Sequence, residues 1–507
     1  MRTEIQTGKK VFPRTVSFLL ALLMLLGAMS TVGCGKEQVE EPSTVTDAPE
    51  ETDNYQKDNL PDTLNYEGRE FCTLYWNGAP FVEFEPEENA TNALSQSVYE
   101  RNDNVENRLN VVLTWRGIDG DNSHQTKFIT YLESTIGSNL HEYDLVASYS
   151  MCAGAMAMRG YSVDLMSTDY FDYEQPWWPN ELTSQAVVNN KLYFASGDIS
   201  TNLLWTMYAV FYNKDLMEKL GITDNMATLV KNYQWDWDTM LSLSKDVYVD
   251  LDTIPGKSLG DQFGFGIYRV YADALFYGSG FRTVETDSAT GELILSPTFG
   301  SGDVQSLIVE MLDYFETDDA WYDNGEGWST KDYFVNDQFL FDLRPLYYAP
   351  QVIFAQDTKK EVNFGVLPVP MYYSDQGKYY TSVGFPYSIY SLPIDAKDIS
   401  CSSAVLECLA SEGYRKTTPV VFEQTMKLRY SEDDVVSAMF DVIRENLTFD
   451  LGRLFCSSFN KGAYSNATYY LFRTVAIAGN NPNWISIYKG EEGAMADVLD
   501  DIYTKLK

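Results

Sequence analysis

Phe71-Cys72-Thr73-Leu74-Tyr75-Trp76 begins, and Tyr143-Asp144-Leu145-Val146-Ala147-Ser148-Tyr149 ends, the stretch of this 507-residue chain from which its fold is read. Phe71, Thr73 and Tyr75 alternate with Cys72, Leu74 and Trp76, so large groups point to both faces, as in a strand covered on both sides. The spacing predicts a helix over 92–109, where Leu94, Val98, Val105 and Leu109 share one face. Residues 111–115 read as a second strand. A helix follows over 126–136, with Phe128, Ile129, Leu132 and Ile136 as its core face, and 143–149 is the third strand. Strand, helix, strand, helix, strand is the α/β pattern, which implies a mostly parallel sheet covered by helices.

The same class continues outward. Strands are expected at 192–195, 208–212, 263–269, 338–342 and 363–367, and helices at 213–220, 238–247 and 304–315. From Ser402 the chain is helix-rich and ends in a helix over 492–506, with Met495, Val498, Leu499, Ile502 and Leu506 on one face. The length allows two or three domains, and 45% apolar residues can fill large cores.

At the other end, Arg2, Lys9, Lys10 and Arg14 precede an apolar run from Val16 to Met29. That run is about 14 residues, short of the roughly 20 that span a bilayer. A basic start, a short apolar core and small residues before a cut site read as a signal peptide over 1–33. Thr31-Val32-Gly33-Cys34 resembles the bacterial lipobox, with Thr31 where leucine is usual; the resemblance implies lipidation of Cys34 and attachment at the extracytoplasmic face of the cell membrane. Residues 34–64 are rich in Glu, Asp, Pro and Thr and are expected to form a disordered acidic linker. The leader carries four basic residues and one acid (Glu4), a net of +3, so the remainder sits near −39 against −36 for the whole chain. Such a charge repels phosphate backbones and excludes nucleic acid as a partner. Beyond Cys34 stand Cys72, Cys152, Cys401, Cys408 and Cys456, an odd number without CxxC spacing, read as buried thiols.

A family resemblance rests on motifs spread along the chain: Tyr99-Glu100-Arg101-Asn102, Tyr143-Asp144-Leu145-Val146, Asn190-Lys191-Leu192-Tyr193-Phe194, Phe211-Tyr212-Asn213-Lys214-Asp215-Leu216, Trp235-Asp236-Trp237-Asp238, Tyr277-Gly278-Ser279-Gly280 and Phe364-Gly365-Val366-Leu367-Pro368. In this order they resemble the extracellular solute-binding proteins of ABC sugar importers, the group that includes maltose-binding protein. The resemblance implies a periplasmic-binding-protein-like fold: two discontinuous α/β lobes joined by a hinge, with 65–204 plus 335–382 in the first lobe and 205–334 plus 383–507 in the second. It also implies a monomer that passes a small-molecule solute, such as an oligosaccharide, to ABC permease subunits. No cofactor is expected.

Such folds bind in the crevice outside the carboxyl ends of the strands. Candidate ligand-binding residues are those at expected strand ends and turns: Trp76, Asn77, Tyr149, Ser150, Trp205, Tyr208, Tyr277, Arg344 and Tyr347, with Tyr348 beside them. Aromatics make up 14% of the chain, 36 of them Tyr, which suits sugars: flat rings stack on their C–H faces, and a few polar groups bind their hydroxyls. Trp177 and Trp178, between Pro176 and Pro179, read as packing under the cleft. Asp250, Asp252 and Asp261 read as a solvated loop, because Ile254 and Pro255 stand where a calcium loop needs oxygen ligands.

Catalytic motifs are absent from the sequence. His124 and His141 are the only histidines, there is no HExxH, GxSxG or P-loop, and Gly264-Phe265-Gly266 lies within a strand pattern. The expectation is a binding protein and not an enzyme. A different solute on the same fold (a peptide or a polyamine) and a two-carboxylate glycoside hydrolase stay open at this level.

Overall fold

The computed structural model describes residues 56–86, 91–325, 331–356, 362–422, 434–456 and 470–506. The leader, Cys34 and most of the linker lie outside them. Residues 56–64, expected within the linker, instead dock: Asp58 pairs with Arg108 at 2.7 Å and Leu60 is buried. Among the described residues no helix is long and apolar enough to cross a membrane.

The first sheet grows from the opening stretch. Strand β1 (Arg69–Asn77) is followed by helix α1 (Ala93–Leu109), β2 (Val111–Asp119), α2 (Gln125–Gly137), β3 (Leu145–Tyr149) and α3 (Ser150–Met158). β1 runs parallel to β2 from Arg69↔Val111 to Asn77↔Asp119, and parallel to β3. Helix α1 is bounded as its sequence directs: the Asn92 side chain accepts the Ser95 N–H, and Asn110 takes the left-handed conformation after the last turn. Leu94, Val98, Val105 and Leu109 are buried in the same core as Phe71 and Leu145.

The second sheet holds β4 (Tyr208–Asn213), β5 (Phe263–Tyr268), β8 (Ala320–Asp323), β9 (Phe339–Pro345) and β10 (Phe364–Leu367), in the order β10-β4-β9-β5-β8. β9, β5 and β8 are parallel; β4 is antiparallel to β9, and β10, antiparallel to β4, runs in the direction of the other three. Between β5 and β8 lie helix α4 (Ala272–Gly278), the hairpin β6–β7 (Val284–Thr286 and Leu293–Leu295) and helix α5 (Gly302–Glu316). β11 (Ser388–Ser391) returns to the first sheet, antiparallel to β3. Helices α6 (Ile399–Glu412), α7 (Leu451–Leu454) and α8 (Trp484–Lys505) follow. The result is the mixed α/β, periplasmic-binding-protein-like architecture expected.

Several expectations are corrected. The segment 335–382, expected in the first lobe, places β9 and β10 in the second sheet, while β11, from the segment expected in the second lobe, joins the first. Partner choice is a long-range hydrogen-bonding matter that a strand's own residues do not encode. Residues 192–195 form no strand; Lys191 and Ala195 make single bridges to Val188 and Tyr390. The helix expected over 238–247 runs Trp237–Ser244, because the Asp319 carboxylate collects the N–H groups of Asp246, Val247 and Tyr248 and turns the chain. Cys152, Cys401, Cys408 and Cys456 are buried free thiols, whereas Cys72 is only partly buried.

Candidate functional site

Two chain segments cross between the sheets side by side. Met207 and Val383 form an antiparallel bridge; Tyr208 N–H donates to the Ser382 carbonyl at 3.0 Å and Gly384 N–H to the Thr206 carbonyl at 2.9 Å. The end of β9 joins them, with Leu346 and Tyr347 N–H donating to the Met207 and Trp205 carbonyls. Because β4 is antiparallel to β9, Tyr208 stands opposite Pro345. The start of β4 and the carboxyl ends of β5 and β9 therefore share one edge of the second sheet.

Aromatic side chains gather at that edge. Phe81, beyond the end of β1, stacks on Trp205 at 5.1 Å and lies 6.0 Å from Tyr347. The Tyr347 and Tyr271 hydroxyls are 3.2 Å apart. Tyr271 in turn packs against Tyr208 at 5.4 Å and Tyr268 at 5.5 Å, with the Arg344 guanidinium 5.3 Å from its ring. Arg344 Nε donates to Asp342 at 2.8 Å. Phe81, Tyr268, Tyr271 and Tyr347 are half-buried, so ring surface stays open to solvent; Trp205 and Tyr208 are buried behind them.

The loop that carries Phe81 is held by the Tyr99-Glu100-Arg101-Asn102 motif. Arg101, 1% exposed, donates to the Glu83 carbonyl (2.5 Å), the Ile199 carbonyl (3.2 Å) and Asn102 Oδ1 (3.0 Å). Asn102 donates to the Phe84 carbonyl, and Asn202 clamps both the N–H and the carbonyl of Phe81. The Glu83 carboxylate accepts from Ser200, Asn202 and Tyr390. A buried network thus fixes a half-exposed ring.

Beyond Tyr208 the site becomes polar. Arg453 on α7 donates to the Val383 carbonyl at 2.6 Å and to Asp273 on α4 at 3.4 Å, with its guanidinium 4.2 Å from the Phe385 ring and 5.5 Å from Tyr277. Arg473 also approaches Asp273, at 3.5 Å. Asp450 accepts both the N–H (2.6 Å) and the hydroxyl of Thr283. Arg453, Asp450 and Tyr277 line a narrow pocket, with room for about one water, between α4, the crossing segment and α7. Burial raises the Asp273 and Asp450 carboxyls, against the pull of the arginines around them and, at Asp450, of the Thr283 donors. Burial also holds the Tyr277 phenol well above its ordinary value, so it stays protonated and can donate. It works against the Arg453 charge too, yet Asp273, with Tyr277 and Tyr208, keeps that guanidinium above its usual range.

Among the residues singled out from sequence, Trp205, Tyr208, Arg344 and Tyr347 meet around Tyr271, with Tyr348 5.5 Å from the Arg344 guanidinium. Tyr277 lies in helix α4, not in the glycine turn expected, and lines the pocket. Trp76 and Tyr149 pack edge to face at 5.1 Å, both buried; Trp76 Nε1 donates to Ser388, and Ser150 to the Phe385 carbonyl. Asn77 is exposed beside Asp119. Phe81, Tyr268, Tyr271, Asp273, Asp450 and Arg453 were not foreseen. Tyr268 ends a strand and Tyr271 follows three residues later, so the strand-end rule could have found both. Arg453 belongs to a short helix with no local signal.

Trp177 and Trp178 are buried, and both indole N–H groups donate to Glu407, at 2.9 and 3.0 Å. Among the described residues one acidic cluster converges, Asp250, Asp252 and Asp261. Asp250 is exposed as expected of a solvated loop, but Asp261 is buried, because Leu251 N–H, Ser258 N–H and the Tyr248 hydroxyl fold around its carboxylate. That group organises the loop.

No family model and no curated protein matches this sequence. Solved structures do resemble the fold. The sugar-binding protein MalE from the phytopathogen Xanthomonas citri is similar at a TM-score of 0.54 and 12% identity, over 85% of this chain and 97% of its own. A sugar transporter protein from Rhizobium etli in an open conformation is similar at 0.52 and 10%, over 86% and 98%. An ABC transporter solute-binding protein from Thermotoga lettingae, bound with α-D-tagatose, is similar at 0.51 and 12%, over 85% and 100%. Identity this low speaks for the fold alone.

Proposed function

We propose that this chain is an exported, membrane-tethered solute-binding protein that captures a carbohydrate between its two sheets and delivers it to the permease of an ABC importer. The carrying observation is the half-exposed aromatic row, Phe81, Tyr347, Tyr271 and Tyr268, at the carboxyl ends of parallel strands. One ring comes from the first-sheet side and three from the second. A ligand stacked there touches both sides at once, which is what drives hinge closure. Polar groups beside the row, Arg344 and the Arg453 cluster, suit a rim of hydroxyls. The fold shared with sugar-binding transporter proteins supports the same reading, as do the sequence motifs. In this reading two lobes hinge at the crossing segments, the protein acts as a monomer without catalysis, and lipid on Cys34 keeps it near the permease.

Calorimetry with product analysis against a panel of plant and host glycans tests it. Saturable binding of an intact glycan is expected, with Phe81→Ala and Tyr347→Ala each weakening it at least about tenfold, as loss of a stacked ring would. Released reducing ends would show a hydrolase, and binding only to peptides or polyamines would move the reading to another solute. Loss of membrane association in Cys34→Ser cells checks the tether.

A further inference from the structure

The outer flank of the second sheet holds a cavity apart from the aromatic row. β8 is the last strand in the order β10-β4-β9-β5-β8, so among the described residues its outer edge meets no further strand. A cavity of ≈ 390 Å³ runs along that edge, between β8, the end of α5 and the helical segment Leu471–Ala478. That volume is within the roughly 300–1,000 Å³ of small-molecule sites. Phe315 and Tyr322 line it, with their rings stacked at 4.7 Å. The Tyr322 hydroxyl is buried and has no hydrogen-bond partner among the described residues, although buried hydroxyls are ordinarily paired. Burial holds its phenol above the ordinary value, so it stays protonated and can donate. Asn324 and Asn480, both exposed, add amides at the rim. The charged residues of the wall are Lys257 and Glu316. The Lys257 ammonium is taken by the Phe315, Thr317 and Ala320 carbonyls, at 3.2, 2.6 and 3.4 Å, and Glu316 is exposed.

This flank adjoins the aromatic row. β5 and β8 are parallel and in register from Phe265↔Ala320 to Tyr268↔Asp323. Tyr268, the last ring of the row, therefore stands beside the carboxyl end of β8. The segment Leu471–Ala478 reaches both places. Arg473 donates to the Val270 carbonyl at 3.2 Å and approaches Asp273, while Ile477 and Ala478 line the cavity. We propose, resting on the carbohydrate reading above, that this cavity is a further subsite of the same cleft. The ligand is then a neutral oligosaccharide whose chain continues from the row, past the end of β8, into the cavity. Neighbouring strands lie about 4.8 Å apart, so β9 to β8 is about 10 Å, more than one sugar ring covers. The Tyr322 hydroxyl offers a donor to a sugar oxygen, and the rings offer an apolar wall to its C–H face. With the ammonium engaged and the carboxylate in solvent, the interior presents no charge for an ionic ligand to pair with.

The test is calorimetry of the wild type and of Ala478→Phe and Tyr322→Phe. The probes are malto-, cello- and xylo-oligosaccharide ladders of about two to six units. In the ladder that binds, wild-type affinity should rise at least about tenfold from the shortest to the longest members. Ala478→Phe fills the cavity and should abolish that gain. Tyr322→Phe removes only the hydroxyl and should lose about 3- to 10-fold for the long members. Both variants should bind the shortest member as the wild type does. Tyr322→Phe keeps the stack on Phe315 and should melt as the wild type does, so it decides the matter if Ala478→Phe does not fold. Wild-type affinity independent of chain length would overturn the subsite and leave the carbohydrate reading intact. So would variants that bind long members as the wild type does, or that weaken short and long members alike. Failure of the wild type to bind any glycan would overturn both.

Discussion

Arg101 and Arg453 are both buried arginines in polar clusters, and their surroundings differ in one respect. Around Arg101 every partner is satisfied: Glu83, Asn102, Asn202, Ser200 and Tyr390 bond to one another and to the loop that carries Phe81. Around Arg453, Asp273 Oδ1, the Tyr277 hydroxyl, Ser382 Oγ and Thr381 Oγ1 have no hydrogen-bond partner. Burial lowers the Arg101 guanidinium; at Arg453 burial again lowers it, but Asp273, Tyr277, Tyr208 and Tyr387 together outweigh that and raise it. A saturated network is a scaffold, since any change leaves a buried group unpaired. An unsaturated one carries groups whose loss leaves nothing else unpaired.

This contrast can be broken by mutation. Arg101→Ala should have the largest effect, about 3 kcal/mol or more of lost stability in urea unfolding, because it strands the Glu83 and Ile199 carbonyls and the Asn102 carboxamide. A loss below about 1 kcal/mol would mean that this cluster is not the scaffold described. Next comes Glu407. Burial pushes its carboxyl up to about 8 against its Trp and backbone donors, while the unfolded chain ionises near 4.5. Between those values the folded state binds the extra proton, so stability should fall as pH rises from about 4.5 to 8 and level off above. The slope is at most roughly 1.4 kcal/mol per pH unit. Glu407→Gln should flatten that slope in unfolding measured from pH 5 to 8; an unchanged profile would assign it to other groups.

A matched pair of serines gives the sharpest version. Ser200, fully buried, bonds Glu83 and accepts the Leu203 N–H at a helix start, so Ser200→Ala should cost about 1–2 kcal/mol. Ser382, equally hidden, should cost less than about 0.5 kcal/mol when changed to alanine, as for a group with no native partner. Equal losses at the two sites, read from urea midpoints, would erase the distinction between scaffold and site.

Legibility in the sequence followed the same division. The β1–α1–β2–α2–β3 series lay close to the surface of the sequence, since each element carries its own period and α1 its own caps. The terminal helix was seen by its apolar face but begins eight residues earlier, at Trp484, where the Phe299 carbonyl takes the indole N–H. Trp205, Tyr208, Arg344 and Tyr347 were visible because they sit where strands meet turns. Phe81 was not, because its position depends on Arg101 and Asn202, respectively 20 and 121 residues away. Arg453 and Asp450 were not, because nothing in Asp450-Leu451-Gly452-Arg453 indicates that it closes against α4 and the crossing segment.

The sequence by itself therefore determined the α/β class and the order of the β1–α1–β2–α2–β3 series, for these rest on local periodicity. Only the tertiary structure decided which sheet β9, β10 and β11 join, which aromatic rings stay half-open and which buried hydroxyls are left without partners. Those outcomes depend on hydrogen bonds and burial between segments up to hundreds of residues apart, and no local pattern in the chain specifies such pairings.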